Sequence, residues 1–171
     1  MNYMLIDDMD TRNCKGVGVS IFVSGCNIHC KDCFNKEAWD FNNGEEFTEK
    51  TMSRLIALVR RSYIDSFSVL GGEPFDERNR EQVLEIVKEM RSLKKPILKM
   101  FIWSGNLYEN LIKDPICEEI LSICDYLIDG QFIKEKYDSK LLLRGSSNQR
   151  IIDLKATREQ GEVVTVTDWE K

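Results

Sequence analysis

The sequence predicts an α/β fold: a parallel sheet whose strands are joined by crossover helices. Three observations carry the prediction. Short β-branched and apolar runs alternate with longer stretches whose apolar residues recur every three or four positions. Each strand-like run stops at a glycine or a polar, glycine-rich stretch, at 25–35, 71–75, 103–106 and 129–132. No linker and no internal repeat divides the 171 residues, a length that fits one domain, at about 150 residues per domain, spanning 1–171.

The elements follow in order along the chain. Residues 17–24 are β-branched and apolar and stop at Gly25, as a buried strand does. From Thr48, a candidate N-cap, the residues Met52, Leu55, Ile56, Val59 and Tyr63 recur at helical spacing. Residues 66–70 make a short strand stopped by Gly71-Gly72. Over 79–92 the helical pattern returns, with Val83, Leu84, Val87 and Met90 on one face and charges on the other. Pro96 precedes a strong strand at 97–103, ended by Ser104-Gly105. Short helices are expected at 107–112 and 116–123, broken at Pro115, and then a strand at 126–129 closed by Gly130. Weaker strand patterns occupy 141–143 and 163–167, and no role is assigned to residues after Arg150. In parallel α/β folds the C-terminal strand ends share one face, where ligands bind. The four polar segments are therefore expected to build one composite site.

Composition narrows the function classes. Hydrophobic residues at 42% and charged residues at 31% fit a globular protein and exclude a disordered or collagen-like chain. The apolar runs at 17–23 and 97–103 fall far short of the ~18 residues of a membrane helix, so no membrane association is expected. The opening MNYMLIDDMD carries acids where an export signal needs base and apolar bulk, which points to a cytoplasmic location. A net charge of −5 without a basic stripe argues against nucleic acid as a partner.

Six cysteines are many for this length, and in a reducing compartment a cluster of them points to metal or redox chemistry. Three fall at Cys26, Cys30 and Cys33, a Cys-x3-Cys-x2-Cys spacing that lets successive sulfurs turn inward around one group. A structural zinc site needs a fourth ligand, for which His29 and Cys14 are the nearest candidates. Three thiolates alone suit a 4Fe-4S cluster with one iron open to a non-protein ligand. Cys117 and Cys124 lie seven apart on one helical face and read as small core residues. His29 is the only histidine, a loop residue that shields the group or faces a partner.

The spacing resembles the signature of the radical S-adenosylmethionine (SAM) superfamily. Within it, several segments resemble the family of activating proteins of anaerobic ribonucleoside-triphosphate reductase. They are Phe22-Val23-Ser24-Gly25-Cys26-Asn27, Cys33-Phe34-Asn35-Lys36 with Trp39, Gly71-Gly72-Glu73-Pro74, Trp103-Ser104-Gly105, Asp129-Gly130 and Arg144-Gly145-Ser146-Ser147-Asn148-Gln149. The likeness runs in order from about Ile6 to Arg150.

The resemblance implies a truncated, open parallel (β/α) partial barrel of the radical SAM type. It implies Cys26, Cys30 and Cys33 as ligands of a 4Fe-4S cluster, with the amino and carboxylate groups of SAM on the open iron. Asn35, Gly71, Gly72, Glu73, Ser104 and Asp129 are the implied SAM contacts, with Gly71 to Glu73 meeting the ammonium. Each has a plainer reading beside it: Gly71–Pro74 as a strand-to-helix turn, Ser104 and Asp129 as structural polar groups, and Trp103 as core packing. Where the family has Asp-Gly-Lys this chain has Asp129-Gly130-Gln131, and where it has an arginine this chain has Gly18. Arg144 and Lys134 are the cations left to face the SAM carboxylate.

The implied activity is that of an enzyme that installs a glycyl radical on the reductase large subunit, with flavodoxin or ferredoxin as a low-potential electron donor. The rivals are a small radical SAM enzyme acting on a metabolite and a non-catalytic metal-binding module.

Overall fold

The computed structural model describes residues 1–167 and 169. Its strands are β1 (Asn2–Asp10), β2 (Gly18–Val23), β3 (Glu45–Glu46), β4 (Ser66–Gly71), β5 (Lys99–Ser104), β6 (Tyr126–Asp129) and β7 (Arg150–Asp153). Its helices are α1 (Glu49–Val59), α2 (Arg80–Ser92), α3 (Tyr108–Leu111), α4 (Pro115–Ile123) and α5 (Leu154–Gln160). The strands form one open seven-stranded sheet in the order β3-β1-β2-β4-β5-β6-β7. Its centre is parallel, from β2 through β4 and β5 to β6. Its edges are antiparallel, β1 to both β2 and β3, and β7 to β6. The expected parallel sheet is therefore its centre, and the antiparallel edges add to it. A parallel return needs a crossover of about a dozen residues or more. The helices between β2 and β6 supply such crossovers, while residues 11–17 between β1 and β2 are too few.

Local chemistry explains where the helices begin. The Thr48 side chain accepts the Thr51 N–H while the Thr51 side chain accepts the Thr48 N–H, a reciprocal cap on α1. Asp114 accepts from the Ile116 and Cys117 N–H groups at the start of α4, where Pro115 needs no partner. α1 buries Leu55, Leu58 and Val59, but Tyr63 lies beyond the helix and is exposed. α2 buries Val83, Ile86, Val87 and Met90. Ile97 is exposed, and β5 starts at Lys99. Two weak strand expectations are corrected. Residues 141–143 form bends, with Leu143 at φ +58°, and 163–167 contributes only the bridge of Thr165 to Ile152.

Strand alternation divides the sheet into two unlike faces. Val19, Ile21, Val23, Phe67, Val69, Met100, Ile102 and Leu127 pack with the helices into the main core, which also takes Cys117 and Cys124. On the opposite face Ser20, Ser66 and Ser68 are fully buried. Their small hydroxyl side chains leave room for residues 11–17 to lie across the sheet. Ser66 Oγ donates to the Lys15 carbonyl and Ser68 Oγ to the Asn13 carbonyl, both at 2.6 Å. Burial opposes the charge of Asp10, yet donors from Ser20, Asn13 and Arg12 outweigh it and hold the carboxyl below its ordinary range. Beyond this loop, Phe101, Ile128, Ile151, Leu143 and Cys14 form a second small core, completed by Trp103, Tyr126, Val166 and Trp169.

Candidate functional site

The C-terminal strand ends meet at one cavity of about 320 Å³. That is the lower end of the ~300–1,000 Å³ of small-molecule sites. Cys26, Cys30, Cys33, Asn35, Gly71, Gly72, Glu73 and Ser104 all line it. The four polar segments of the sequence therefore do converge. Asp129 and Arg144 are not among the lining residues, although Gly130 is.

Backbone contact binds the cysteine loop to the next strand end. Gly72 N–H donates to the Val23 carbonyl at 2.7 Å and Glu73 N–H to the Gly25 carbonyl at 2.8 Å. The approach is so close that a Cβ on Gly72 would sit 2.3 Å from the Gly25 oxygen. Gly71 has φ +112°, a conformation that only glycine adopts without strain. Asn79 completes the junction. It is buried, and Nδ2 donates to the Ser24 carbonyl at 2.9 Å and the Glu73 carbonyl at 3.1 Å. Sequence reasoning sees Asn79 only as the start of α2, because nothing local marks a partner 55 residues away.

The cysteines of the motif are free thiols, partly buried around one space. Burial pushes the Cys26 and Cys30 thiols above their ordinary range. A bound metal reverses that preference, because it holds the deprotonated form. Among the described residues no three His, Cys, Asp or Glu side chains gather closely enough to hold a single ion. Thiols spread around a common cavity suit an iron–sulfur cluster, whose ligands bind different irons. Neither fourth-ligand candidate joins them. The His29 ring stacks on Trp39 with centroids 4.3 Å apart. Cys14 is 3% exposed under the second core, and its Sγ donates to the Asp10 carbonyl at 3.0 Å.

Glu73 is buried at the cavity wall, and protein donors already use both its oxygens. Oε1 accepts from the Phe75 N–H at 3.1 Å and Ser104 Oγ at 2.9 Å, and Oε2 accepts from the Gly105 N–H at 2.9 Å. The carboxylate thus clasps the end of β4 to the end of β5. Burial outweighs these three hydrogen bonds and pushes its pKa up to about 7. A cation in the cavity would favour the ionised form.

Asp129 is fully buried and meets Arg150 through two hydrogen bonds, with Nε donating to Oδ1 at 2.9 Å. The Tyr108 N–H donates to Oδ2 at 2.8 Å. Arg150 also grips Glu109 with two bonds of 2.9 Å. The hydrogen bonds from Arg150 pull the Glu109 carboxyl down to about 2. Several polar groups of the segment 144–149 hold its own fold, while the buried Arg144 Nε and Asn148 Oδ1 have no partner among the described residues. Gln149 Oε1 accepts from the Gly145 and Ser146 N–H groups, and its Nε2 donates to the Gly130 carbonyl. Arg144 Nη1 donates to the Gln149 carbonyl, and Arg144 lines a separate recess. Lys134 lies outside the cavity lining, 3.7 Å from Asp32. No lysine or arginine is among the described residues that line the cavity. Trp103 packs in the second core, also lines the cavity, and donates Nε1 to the Leu143 carbonyl at 3.0 Å.

The chain is similar to known proteins over most of its length. A family profile described as a 4Fe-4S single cluster domain matches residues 12–152. The anaerobic ribonucleoside-triphosphate reductase-activating protein of Pasteurella multocida is 34% identical over 153 residues, covering 88% of this chain and 96% of its own. Its namesake in Enterobacteria phage T4 is also 34% identical, over 88% of this chain and 93% of its own. The Escherichia coli K12 namesake is 30% identical over 91% of this chain and all of its own length.

Proposed function

The chain belongs to the family of anaerobic ribonucleoside-triphosphate reductase-activating proteins, and from that premise we propose that it is an oxidoreductase that installs a glycyl radical on such a reductase. The observation that carries the reading is the convergence of three free thiols with the ends of β4 and β5 on one cavity. When bound, a reduced 4Fe-4S cluster would supply one electron to SAM, with methionine as the leaving group, and so the radical chemistry that removes a hydrogen atom from the target glycine.

The chain's own residues have simpler tasks, in keeping with a division in which the cofactor supplies the hard chemistry and the protein positions it. Cys26, Cys30 and Cys33 would hold the cluster. Gly71 and Gly72, which carry no side chain, let backbone groups approach the SAM ammonium. Among the described residues Glu73 is the one carboxylate lining the cavity, and it fixes Ser104 and Gly105 in the wall. Asn35 follows the last cysteine and lines the same space. Asp129 and Arg144 are assigned to holding the strand end and the rim. The fold is read as an open radical SAM partial barrel in a single domain over 1–171, supported by the parallel centre of the sheet and the placement of the site at its C-terminal end. No described helix is long and apolar enough to cross a membrane. A cytoplasmic setting with flavodoxin or ferredoxin as electron donor completes the reading.

The first test is anaerobic reconstitution with iron and sulfide, followed by reduction with SAM. Uptake of iron and sulfide in equal amounts, with 5′-deoxyadenosine and methionine as products, is expected. A protein that takes up zinc but no iron would support the non-catalytic module instead. Glu73→Ala is expected to weaken SAM binding about ten- to a hundredfold, the equivalent of a charged hydrogen bond of roughly 1.5–3 kcal/mol. Its bound iron should stay at the wild-type level, because Glu73 is no ligand. Equilibrium SAM binding and iron assays check both halves, and loss of iron in this variant would count against the assignment.

A further inference from the structure

Three aromatic rings from separate parts of the chain gather on the surface beside the cavity. Phe34 follows the last motif cysteine, Phe132 follows the end of β6, and Tyr137 ends the 3₁₀ turn Lys134–Lys136. The ring centroids of Phe34 lie 4.5 Å from Phe132 and 5.5 Å from Tyr137. Phe34 is 70% exposed, more than any other large apolar side chain among the described residues, and Tyr137 is 53% exposed. The rings line a recess of about 440 Å³ with Lys36, Lys134 and Asp32 at its edge. Cys33, Phe34 and Phe132 line both this recess and the cavity, so the two are continuous. The backbone beneath is fixed. The Ile133 N–H donates to Ser146 Oγ at 3.2 Å, and the Ser147 N–H to the Lys136 carbonyl at 2.9 Å. Gly145 lies so close that a Cβ there would sit 3.1 Å from the Phe132 ring and 3.3 Å from the Phe34 ring.

An exposed apolar patch rimmed by polar groups marks a contact surface, and aromatic rings supply much of the energy of such contacts. Lys134 lies 3.7 Å from Asp32, which leaves little net charge in the recess and makes the contact an apolar one. We propose that Phe34, Phe132 and Tyr137 form the docking platform for the reductase segment that carries the target glycine, with an apolar side chain of that segment seated on the rings. The inference rests on the activase reading given above. A hydrogen atom is transferred only at contact distance, so the glycine enters the cavity and the chain on either side of it crosses the mouth. Consecutive Cα atoms are about 3.8 Å apart, so a residue a few positions from the glycine reaches rings that share a wall with the cavity. An electron donor needs no chain inside the cavity.

The test measures binding of the cluster-loaded protein, with SAM, to a cognate anaerobic reductase. Tyr137→Ser is expected to weaken binding about tenfold or more, the usual cost of truncating an aromatic anchor, and Tyr137→Phe to keep it. Tyr63→Ser removes a ring that is 51% exposed ahead of β4, at the end of the strands away from the cavity, and should bind as wild type does. Tyr137 lies outside the cavity lining. Iron content and SAM cleavage without the reductase should therefore be unchanged in Tyr137→Ser. In glycyl-radical formation the half-saturating reductase concentration should rise, while the rate at saturating reductase stays near that of wild type. Should Tyr137→Ser assemble no cluster, a photoreactive benzophenone amino acid at position 137 decides the matter. It is expected to cross-link to the reductase segment beside the target glycine. Wild-type affinity in Tyr137→Ser, or cross-linking only to the electron donor or to a second copy of this chain, overturns the inference and leaves the activase reading intact. A wild-type protein that forms no glycyl radical on the reductase overturns both.

Discussion

Replacing any one of Cys26, Cys30 or Cys33 by alanine is expected to lower bound iron sharply and abolish SAM cleavage. In the proposed site each would supply one of three thiolates, and none of the other cysteines is placed to substitute. Cys14 sits in the second core, and burial pushes its thiol up to about 12. Cys117 and Cys124 belong to the helix-side core, where burial again pushes each up to about 12. Alanine at any of these three should leave cluster content near that of the wild type. Iron and acid-labile sulfide assays across the six variants check the division. Loss of the cluster in Cys14→Ala as complete as in Cys30→Ala would contradict the three-ligand assignment. Air should destroy the wild-type cluster, because the iron left free for SAM is open to other small molecules.

Arg150→Met is expected to destabilise the fold by about 3 kcal/mol, because it leaves the buried Asp129 carboxylate without its cation. Adding Asp129→Asn should recover part of the loss, a coupling that a double-mutant cycle in denaturant reads directly. Arg150 also sets a pH dependence through Glu109. The Glu109 carboxyl is held at about 2 in the fold, below the usual value near 4.5. Its contribution is therefore fully present above about pH 4.5 and lost as the pH falls toward 2. Glu109 is half exposed, so solvent screens the effect and keeps it small. Denaturant midpoints of wild type should fall over that window, and those of Arg150→Met should fall less. Equal slopes for the two proteins would remove Arg150 as the cause.

The parallel centre of the fold and the cysteine loop were legible because each depends on local pattern. The runs that became β2, β4 and β6 are apolar and end at glycine or a polar stretch, and α1 carries its own cap in Thr48. The edges were not legible. β1 contains Asp7, Asp8 and Asp10, which hide a strand pattern, and Asp10 is buried only because Ser20 and residues 12 and 13 supply its donors. Residues 141–143 are apolar like a strand, yet Leu143 packs from a left-handed turn onto the second core. At the site, sequence marked the position of Glu73 but not its three protein donors, two of which come from residues more than 30 positions away. For the same reason Asp129 read equally as a ligand contact and as a structural polar group: its partner, Arg150, lies 21 residues further on, with no local signal to connect them. Phe34 was visible only as part of a resemblance, and the rings that gather around it need coordinates to be seen.

The central claim is that the radical ends on a glycine of a partner protein. The site opens at the strand ends, and a radical formed there needs water kept out, as docking segments and lids commonly do. The most direct measurement is electron paramagnetic resonance on the reduced, SAM-loaded protein mixed anaerobically with a cognate anaerobic reductase. A doublet on the reductase chain is predicted, with the splitting lost when its glycine is deuterated at Cα. Slow, unproductive SAM cleavage is predicted when the reductase is left out. Absence of that doublet, together with turnover of a small metabolite by the same preparation, would contradict the account and favour a metabolite enzyme.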